Sequence, residues 1–503
     1  MPTAPSRVDL RAPADDSERA LADLLAIPPI ADELGERLAV GGFSCWLVGG
    51  SVRDLLLDSS GSTPDLDFAT DAAPADVLAA VESWAESTWD AGIAFGTVGI
   101  SRRGVRLEVT TFRSEIYEPG SRKPQVDYGT TIDADLSRRD FTVNAMAVSV
   151  PEHLFVDLYG GLRDLSAGKL RTPVAAEQSF DDDPLRMLRA ARFTAQLGFT
   201  PIADVVIAMT EMASRLEIVS PERIREELTR LLLSPNPAKG LELLVETGLC
   251  DYVVPELPRM RMAMDPIHQH KDVLLHSLAV LKNAMKLEDP YDPSVEGSGP
   301  DLVLRMAALL HDIGKPDTRR FEGGGKVSFH HHEVVGAKMA RKRLKALRYD
   351  KQLVSDVATL VELHLRFHGY GRGEWTDSAV RRYVTDAGPL LERLHKLVRS
   401  DCTTRNRSKA AGLAAAYDEF EHRIHHLQEL EDLRAVRPDL NGDDIMRLLN
   451  LSPGPLVGKA WRHLKELRLD RGPLQEEEAV AELQKWASAE GIEVTRVEQK
   501  PEI

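Results

Sequence analysis

The chain has 503 residues, 43% hydrophobic and 28% charged, an ordinary composition for a multidomain globular protein with apolar material for several cores. A formal net charge of −16 excludes a uniformly basic nucleic-acid coat, yet the charge is polarised: residues 341–348, 381–382 and 405–409 are cationic, while acidic residues gather at 429–432 and 476–478. There is no apolar run of about 18 residues, and Cys45, Cys250 and Cys402 lack C-x-x-C spacing, so the expectation is a cytoplasmic protein with free thiols and no membrane partner.

Residues 1–25 mix Pro, Ala, Ser, Asp and Arg without periodicity and are expected to form a mobile extension. Over 26–175, β-like runs such as Cys45–Val48, Gly96–Ser101 and Val105–Thr111 alternate with helical stretches, which predicts a mixed sheet covered by helices. From 176 to 257 the pattern is helical, with Pro184 placed to begin a helix that carries Leu185, Leu188, Phe193 and Leu197 near helical spacing. A His-rich helical region over 258–410 is interrupted by a Pro/Gly/Ser/Asp loop at 288–300, and a last helical segment, 411–503, contains a turn at 451–455. The fold class is therefore α+β, a mixed-sheet head followed by all-α neck, middle and tail domains.

Four segments of the first half carry chemistry. In Leu47-Val48-Gly49-Gly50-Ser51-Val52-Arg53-Asp54, two glycines follow a strand and open a helix, where backbone amides approach a phosphate closely; an ordinary strand–helix turn would look the same. Asp65 and Asp67 are two apart on a strand and point to one face, a pairing that suits shared divalent cations and two-metal phosphoryl transfer. Glu108, on a later strand, reads equally as a third carboxylate near the attacking hydroxyl and as an exposed strand residue. Arg138-Arg139-Asp140-Phe141-Thr142-Val143-Asn144-Ala145 groups cations, a carboxylate and an amide suited to triphosphate and ribose. In Asp181-Asp182-Asp183-Pro184-Leu185-Arg186, the spacing places Asp183 and Arg186 on one side of a helix with Arg189 a turn beyond; acidic helix capping is the plainer account of Asp181 and Asp182.

These segments, in this order, resemble class II CCA-adding tRNA nucleotidyltransferases, relatives of bacterial poly(A) polymerases, over roughly residues 30–260. The resemblance implies template-independent addition of CCA to tRNA from CTP and ATP. It makes Asp65 and Asp67 ligands of Mg2+, with Gly49, Gly50, Arg53, Arg139, Asp140, Asn144 and Arg189 in the nucleotide site and Asp183 and Arg186 as the base-reading pair. Asp182 stands where that family usually has Glu. Residues 111–117 and 121–124 resemble the flexible loop of full CCA-adding members, and Ser220–Glu227 and Leu451–Gly458 resemble further family elements. A poly(A) polymerase or a CC-adding enzyme remains the alternative.

In the second half, His311-Asp312-Ile313-Gly314-Lys315 follows an apolar helical run, with His276 upstream and Asp401 downstream. Imidazole and carboxylate ligands from separate helices assemble a hydrolytic metal site. The order resembles the HD phosphohydrolase superfamily, which implies that His276, His311, Asp312 and Asp401 hold a divalent transition metal. His332 and His364 have two readings, as ligands of a second ion or as capping or solvated histidines. The region itself is either a hydrolase or an inactive helical platform for RNA, the latter accounting for the cationic segments near 341 and 381. A stand-alone hydrolase would leave the whole head unexplained.

Overall fold

The computed structural model describes residues 7–12, 15–57, 65–90, 96–116, 125–128, 131–262, 272–292, 294–295, 297–322, 327–367, 375–403, 406–431 and 437–492. It divides into two compact units, 1–255 and 256–503.

The first unit is built on an eight-stranded sheet. Its strands are β1 (Arg7–Asp9), β2 (Cys45–Val48), β3 (Leu66–Thr70), β4 (Ser87–Asp90), β5 (Thr97–Arg102) and β6 (Val105–Thr111), with β9 (Met146–Ser149) and β10 (Leu154–Asp157). The short strands β7 (Arg113–Ile116) and β8 (Gln125–Tyr128) form a separate two-stranded sheet among the described residues. Spatial order in the main sheet is β1-β10-β9-β2-β3-β6-β5-β4, with β3 and β6 parallel and the other neighbours antiparallel, the mixed sheet that the sequence predicts.

Alternation along the two central strands sorts core from site. Leu66 and Phe68 on β3 and Leu107 and Val109 on β6 are buried, whereas Asp67 and Glu108 between them face solvent on the opposite side. The helices α1 (Asp16–Leu24), α2 (Pro29–Val40), α3 (Gly50–Leu56), α4 (Pro74–Val81), α5 (Ile132–Ser137) and α6 (Gly161–Ser166) complete the head, and α4 packs on β5 and β6.

The extension expected to be mobile is structured in two places. β1 adds to the sheet edge beside β10, and α1 is closed by a capping box between Asp15 and Glu18. Strand pairing is a long-range interaction with no local periodic signal in three residues, so composition did not reveal it.

The neck contains α7 (Ala176–Asp182), α8 (Leu185–Leu197), α9 (Ala203–Glu211), α10 (Pro221–Leu233), α11 (Pro237–Glu246) and α12 (Cys250–Val253). Its one departure from a purely helical reading is a two-residue parallel pairing of β11 (Lys169–Leu170) with β12 (Thr200–Pro201).

The second unit is almost wholly helical. Its first part runs through α13 (Glu256–Arg259), α14 (Val273–Met285), α15 (Leu302–Leu310), α16 (Lys315–Thr318), α17 (His332–Ala346), α18 (Lys351–Leu363), α19 (Asp377–Ala387), α20 (Leu391–Ser400) and α21 (Arg407–Leu430). The last helices, α22 (Gly442–Leu449), α23 (Pro455–Arg471) and α24 (Glu476–Ala489), close a small core of their own around Ile445, Leu464 and Leu483. Among the described residues no helix is long and apolar enough to cross a membrane.

Candidate functional site

The first constellation lies on the solvent face of β3 and β6. Asp67 and Glu108 are direct register partners across the parallel pair, so their side chains share a face, and Asp65 immediately precedes β3. The Asp67 carboxylate is open to solvent but hemmed in by protein. That desolvation, together with the like charges of Glu108 and Asp65, pushes it up to about 6 against the pull of Arg139 and Arg53. A carboxylate that resists ionisation beside two others is a natural seat for a divalent cation, which removes the repulsion. The site thus fits the metal that the sequence implies. Ser51 braces it: its hydroxyl accepts the Asp67 amide at 2.8 Å and donates to the Asp65 carbonyl at 3.3 Å.

Gly49 opens the adjoining helix with φ of +68°, a conformation that glycine adopts without strain. A Cβ there would come within 2.5 Å of the Arg139 guanidinium, so this cation lies directly over the turn. Asp135, which the sequence reading did not single out, holds Arg139 through Nε and Nη2 at 3.1 and 2.8 Å.

Behind the turn runs a continuous polar chain. Arg53 donates to Asp54 and to Asn144 Oδ1, and Asn144 Nδ2 donates to Asp140. Arg189 then bridges Asp140 and Glu227, and Glu227 also accepts from Arg192 at 2.7 Å. Burial would raise the Asp140 carboxyl, but the Arg189 charge and donors from Asn144, Arg189 and the Phe141 amide bring it down to about 2. Asp140, Asn144 and Arg189 therefore brace one another inside the protein. Arg192 is not among the sequence-derived candidates, and Glu227 enters them only as the last residue of the Ser220–Glu227 segment.

Asp183 and Arg186 depart from the predicted pairing on one helix. Asp183 precedes the helix rather than lying in it, with φ −145° and ψ 100°, because the residue before proline is excluded from helical backbone. Its carboxylate accepts from the Leu185 amide and from Arg223, while Arg186 donates to Ser179 and to the Arg138 carbonyl. Both groups are held by other partners and neither binds the other. Of the acidic neighbours, Asp182 accepts from Gln178 and Asp181 pairs with Arg215. The flexible-loop reading falls partly outside the described residues, which omit 117–124.

In the second unit the predicted ligands converge from helix ends. His311, Asp401 and His364 cap the C-termini of α15, α20 and α18, His332 opens α17, and His276 lies on α14. His276 Nε2 is 2.9 Å from Asp401 Oδ1 and 3.5 Å from Asp312 Oδ2, and His311 Nε2 is 3.2 Å from Asp312 Oδ2. Candidate ligand atoms of His276, His311 and Asp401 all lie within 4.8 Å of one another.

The donor set fits a transition metal on one structural observation. His311 Nδ1 is hydrogen-bonded to the Ala308 carbonyl at 2.9 Å, leaving its buried Nε2 without a hydrogen-bond partner among the described residues and directed at carboxylates. His276 Nδ1 is likewise oriented, by the Thr403 hydroxyl at 3.1 Å. Burial opposes charge on His311, yet Asp312 and Asp401 raise its pKa, and burial of Asp401 is outweighed by His276 and His311, which hold it well below the usual carboxylate range.

Three residues of the cationic segments, Arg343, Arg381 and Arg382, are less available than their sequence implies. Arg381 is buried against Glu431, Arg382 pairs with Glu466 and Asp470, and Arg343 with Glu256. Partners 50 or more positions away are invisible to a local count of charge. Arg405 lies outside the described residues.

Comparison with known proteins agrees with this geometry. The poly A polymerase head-domain family matches residues 45–171, the probable RNA and SrmB-binding site of polymerase A matches 198–260, and the HD domain matches 273–402. Fold and site together define a nucleotidyltransferase head of the poly(A) polymerase type, followed in the chain by an HD domain.

An A-adding tRNA nucleotidyltransferase of Deinococcus radiodurans is 35% identical over 364 residues, 71% of this chain and 80% of that protein. The CCA-adding enzyme of Anoxybacillus flavithermus is 28% identical over 457 residues, 90% of this chain and 94% of the relative. The crystal structure of the Bacillus stearothermophilus CCA-adding enzyme in complex with CTP superposes with a TM-score of 0.64 at 25% identity, covering 92% of this chain and 99% of that one. The chain belongs to the class II tRNA nucleotidyltransferases, the family of the CCA-adding enzymes.

Proposed function

We propose that the protein adds C, C and A in turn to the 3′ end of tRNA, taking CTP and ATP without a nucleic-acid template. The observation that carries this reading is the shared face of Asp67 and Glu108 beside Asp65, joined to the Gly49 turn and its overlying Arg139. Asp65 and Asp67 hold Mg2+. When bound, the metal supplies charge that activates the attacking hydroxyl and steadies the triphosphate in two-metal transfer. Glu108 lies on the same face near the primer hydroxyl, and Arg139 with the amides at Gly49 and Gly50 takes the phosphates. The tRNA 3′-oxygen forms its bond to the α-phosphorus as the bond to pyrophosphate breaks.

Cytosine and adenine share one feature on their pairing edges, an amine donor beside a ring-nitrogen acceptor. Asp183 offers only acceptors and Arg186 only donors, so the two match both bases and mismatch guanine and uracil. Each must exchange a partner, Arg223 or Ser179 and the Arg138 carbonyl, to do so.

The decisive assay gives purified protein a tRNA lacking CCA and a tRNA ending in CC, with each nucleotide alone and together. Completion of CCA on the first supports the proposal. A second reading, addition of A alone, is favoured by the identity to the Deinococcus A-adding enzyme and predicts extension of the CC-ending tRNA only. C-only extension marks a CC-adding enzyme, and long A tracts on unrelated RNA mark a poly(A) polymerase.

The HD domain adds an accessory phosphohydrolase in this reading, with His276, His311, Asp312 and Asp401 holding its metal. Metal-dependent hydrolysis of 2′,3′-cyclic nucleotides should be lost in His311→Ala; equal rates in the two proteins would remove the hydrolase from the account.

A further inference from the structure

Four residues form one cross-strand row on the open face of the head sheet. Asp67 on β3 pairs with Glu108 on β6, Glu108 with Gly99 on β5, and Gly99 with Trp89 on β4. Residues opposite one another on neighbouring strands share a face, so the row runs from the carboxylates to an aromatic ring. Val98 and Ile100, which flank Gly99, are buried on the other face.

The indole of Trp89 lies flat on Gly99. A Cβ built on Gly99 would meet Cε2 of the indole first and its ring neighbours Nε1 and Cζ2 next, an order found over the face of the ring and not at its edge. Gly99 is thereby buried on a face where Asp67 and Glu108 are exposed, while Trp89 keeps 36% of its surface open. Covering a strand glycine accounts for one face of the indole. The other face points away from the sheet, and an exposed aromatic plane in the same row as the carboxylates is a surface on which a nucleobase stacks.

We propose that Trp89 is the platform for the base of the RNA 3′-terminal nucleotide, the one whose hydroxyl attacks. The inference rests on the reading of Asp65, Asp67 and Glu108 as the transfer site. Pairing of Leu47 with Phe68 brings the Gly49 turn and its overlying Arg139, the seat of the triphosphate in that reading, to the β2 side of Asp67. In-line displacement needs the attacking oxygen opposite the departing pyrophosphate, hence on the β6 side, where Glu108 lies. At about 4.8 Å per strand, Gly99 is roughly 10 Å from Asp67 and one strand beyond Glu108, which leaves room for a ribose between the carboxylates and a base on the indole. Stacking accepts every base, as it must where the end of the acceptor changes with each addition.

The test pairs a change in the protein with a change in the RNA. Full-length protein is given tRNA ending in CC with ATP, or tRNA lacking CCA with CTP, whichever the wild type extends, and the same tRNA with an abasic 3′-terminal nucleotide. Removing the base should raise KM for tRNA about 10-fold in the wild type. Trp89→Leu should raise KM for intact tRNA by a similar factor, leave KM for the nucleotide unchanged, and respond less than about twofold to loss of the base. Trp89→Phe, which keeps an aromatic face, should restore most of the dependence on the base. Circular dichroism and a cooperative melt check that each variant is folded. Gly99→Ala, whose methyl group must lift the indole while Trp89 remains, should repeat the Trp89→Leu pattern and stands in for that variant if it does not fold. A wild-type KM for intact tRNA in the variants, or a loss on removing the base as large as in the wild type, overturns the platform alone. A wild type that extends neither tRNA overturns the transfer reading and the platform with it.

Discussion

Arg53 and Asn144, 91 positions apart, meet through a buried hydrogen bond of 2.6 Å from guanidinium to amide oxygen. The contact ties the glycine turn to the Arg138–Ala145 segment, and through Asp140 and Arg189 it reaches the neck helices α8 and α10. The Gly49 turn, the Arg138–Ala145 segment and the neck helices are therefore parts of one polar framework.

Replacing Asp67 by Asn keeps the shape of the side chain and removes the charge proposed to hold the cation. Nucleotide transfer is expected to fall by at least about 100-fold, the scale of losing one interaction with transition-state charge. Stability at neutral pH should hold or rise, because an acid raised to about 6 from 3.8 opposes folding once ionised, a cost fully present above pH 6 and absent below about 4. Single-turnover rates and urea midpoints at pH 5 and 7.5 check both statements.

Asp140 has the opposite linkage. Its carboxyl is held at about 2 against an ordinary 3.8, so its contribution is complete above roughly pH 4 and is lost as pH falls through 2. The difference corresponds to about 2 kcal/mol. Asp140→Asn should lower the urea midpoint by a constant amount from pH 7 to pH 5, with the gap to wild type narrowing below pH 4. A gap independent of pH down to 3 would count against the Arg189 charge as its source.

Gly49→Ala places a methyl group at φ +68° and 2.5 Å from the Arg139 guanidinium. Strain of about 1–3 kcal/mol is expected, together with a raised KM for both nucleotides as Arg139 is displaced from the turn. Thermal melts and initial rates with CTP and with ATP provide the check.

Arg223→Ala releases Asp183 from a 2.8 Å ion pair. The pair is partly exposed, so its loss is worth about 1 kcal/mol or fivefold. That change should fall on discrimination of CTP and ATP against UTP and GTP more than on pyrophosphate release with the correct nucleotide; Arg223→Lys should restore part of it. An unchanged discrimination ratio would reduce Arg223 to a surface ion pair.

Gly314 lies against the start of α17, where a Cβ would collide with the His332 carbonyl and come within 2.7 Å of the Gly336 amide. Gly314→Ala should cost about 1–3 kcal/mol by overpacking and weaken metal binding in the second unit, with no change in nucleotide transfer. Metal titration and a transfer assay on the same preparation separate these effects.

Much of this was readable from the chain because the chemistry is locally encoded. Asp65-Leu66-Asp67 carries the alternation that sets Asp67 on the face opposite the buried Leu66, and His311-Asp312-Ile313-Gly314-Lys315 ends an apolar helix. What escaped the sequence depended on partners far along the chain. The three residues of β1 carry no periodic signal, Arg381 looks like a surface cation until Glu431 covers it, and Glu227 is one acid among many until Arg189 and Arg192 meet it. The Asp183–Arg186 geometry departs from the spacing for a local reason: three residues apart implies one helical face only if both residues are helical, and Pro184 denies that to Asp183.

His311, His332 and His364 are each aimed by a carbonyl three residues earlier, within the same turn of chain that carries the ring. The direction of each imidazole is set locally, so only the spacing between helices is left to vary. A bound paramagnetic ion in this cluster would then act as a ruler for helix packing, reporting a shift of α15, α17 or α18 as a change in its spectrum before any change in overall fold became visible.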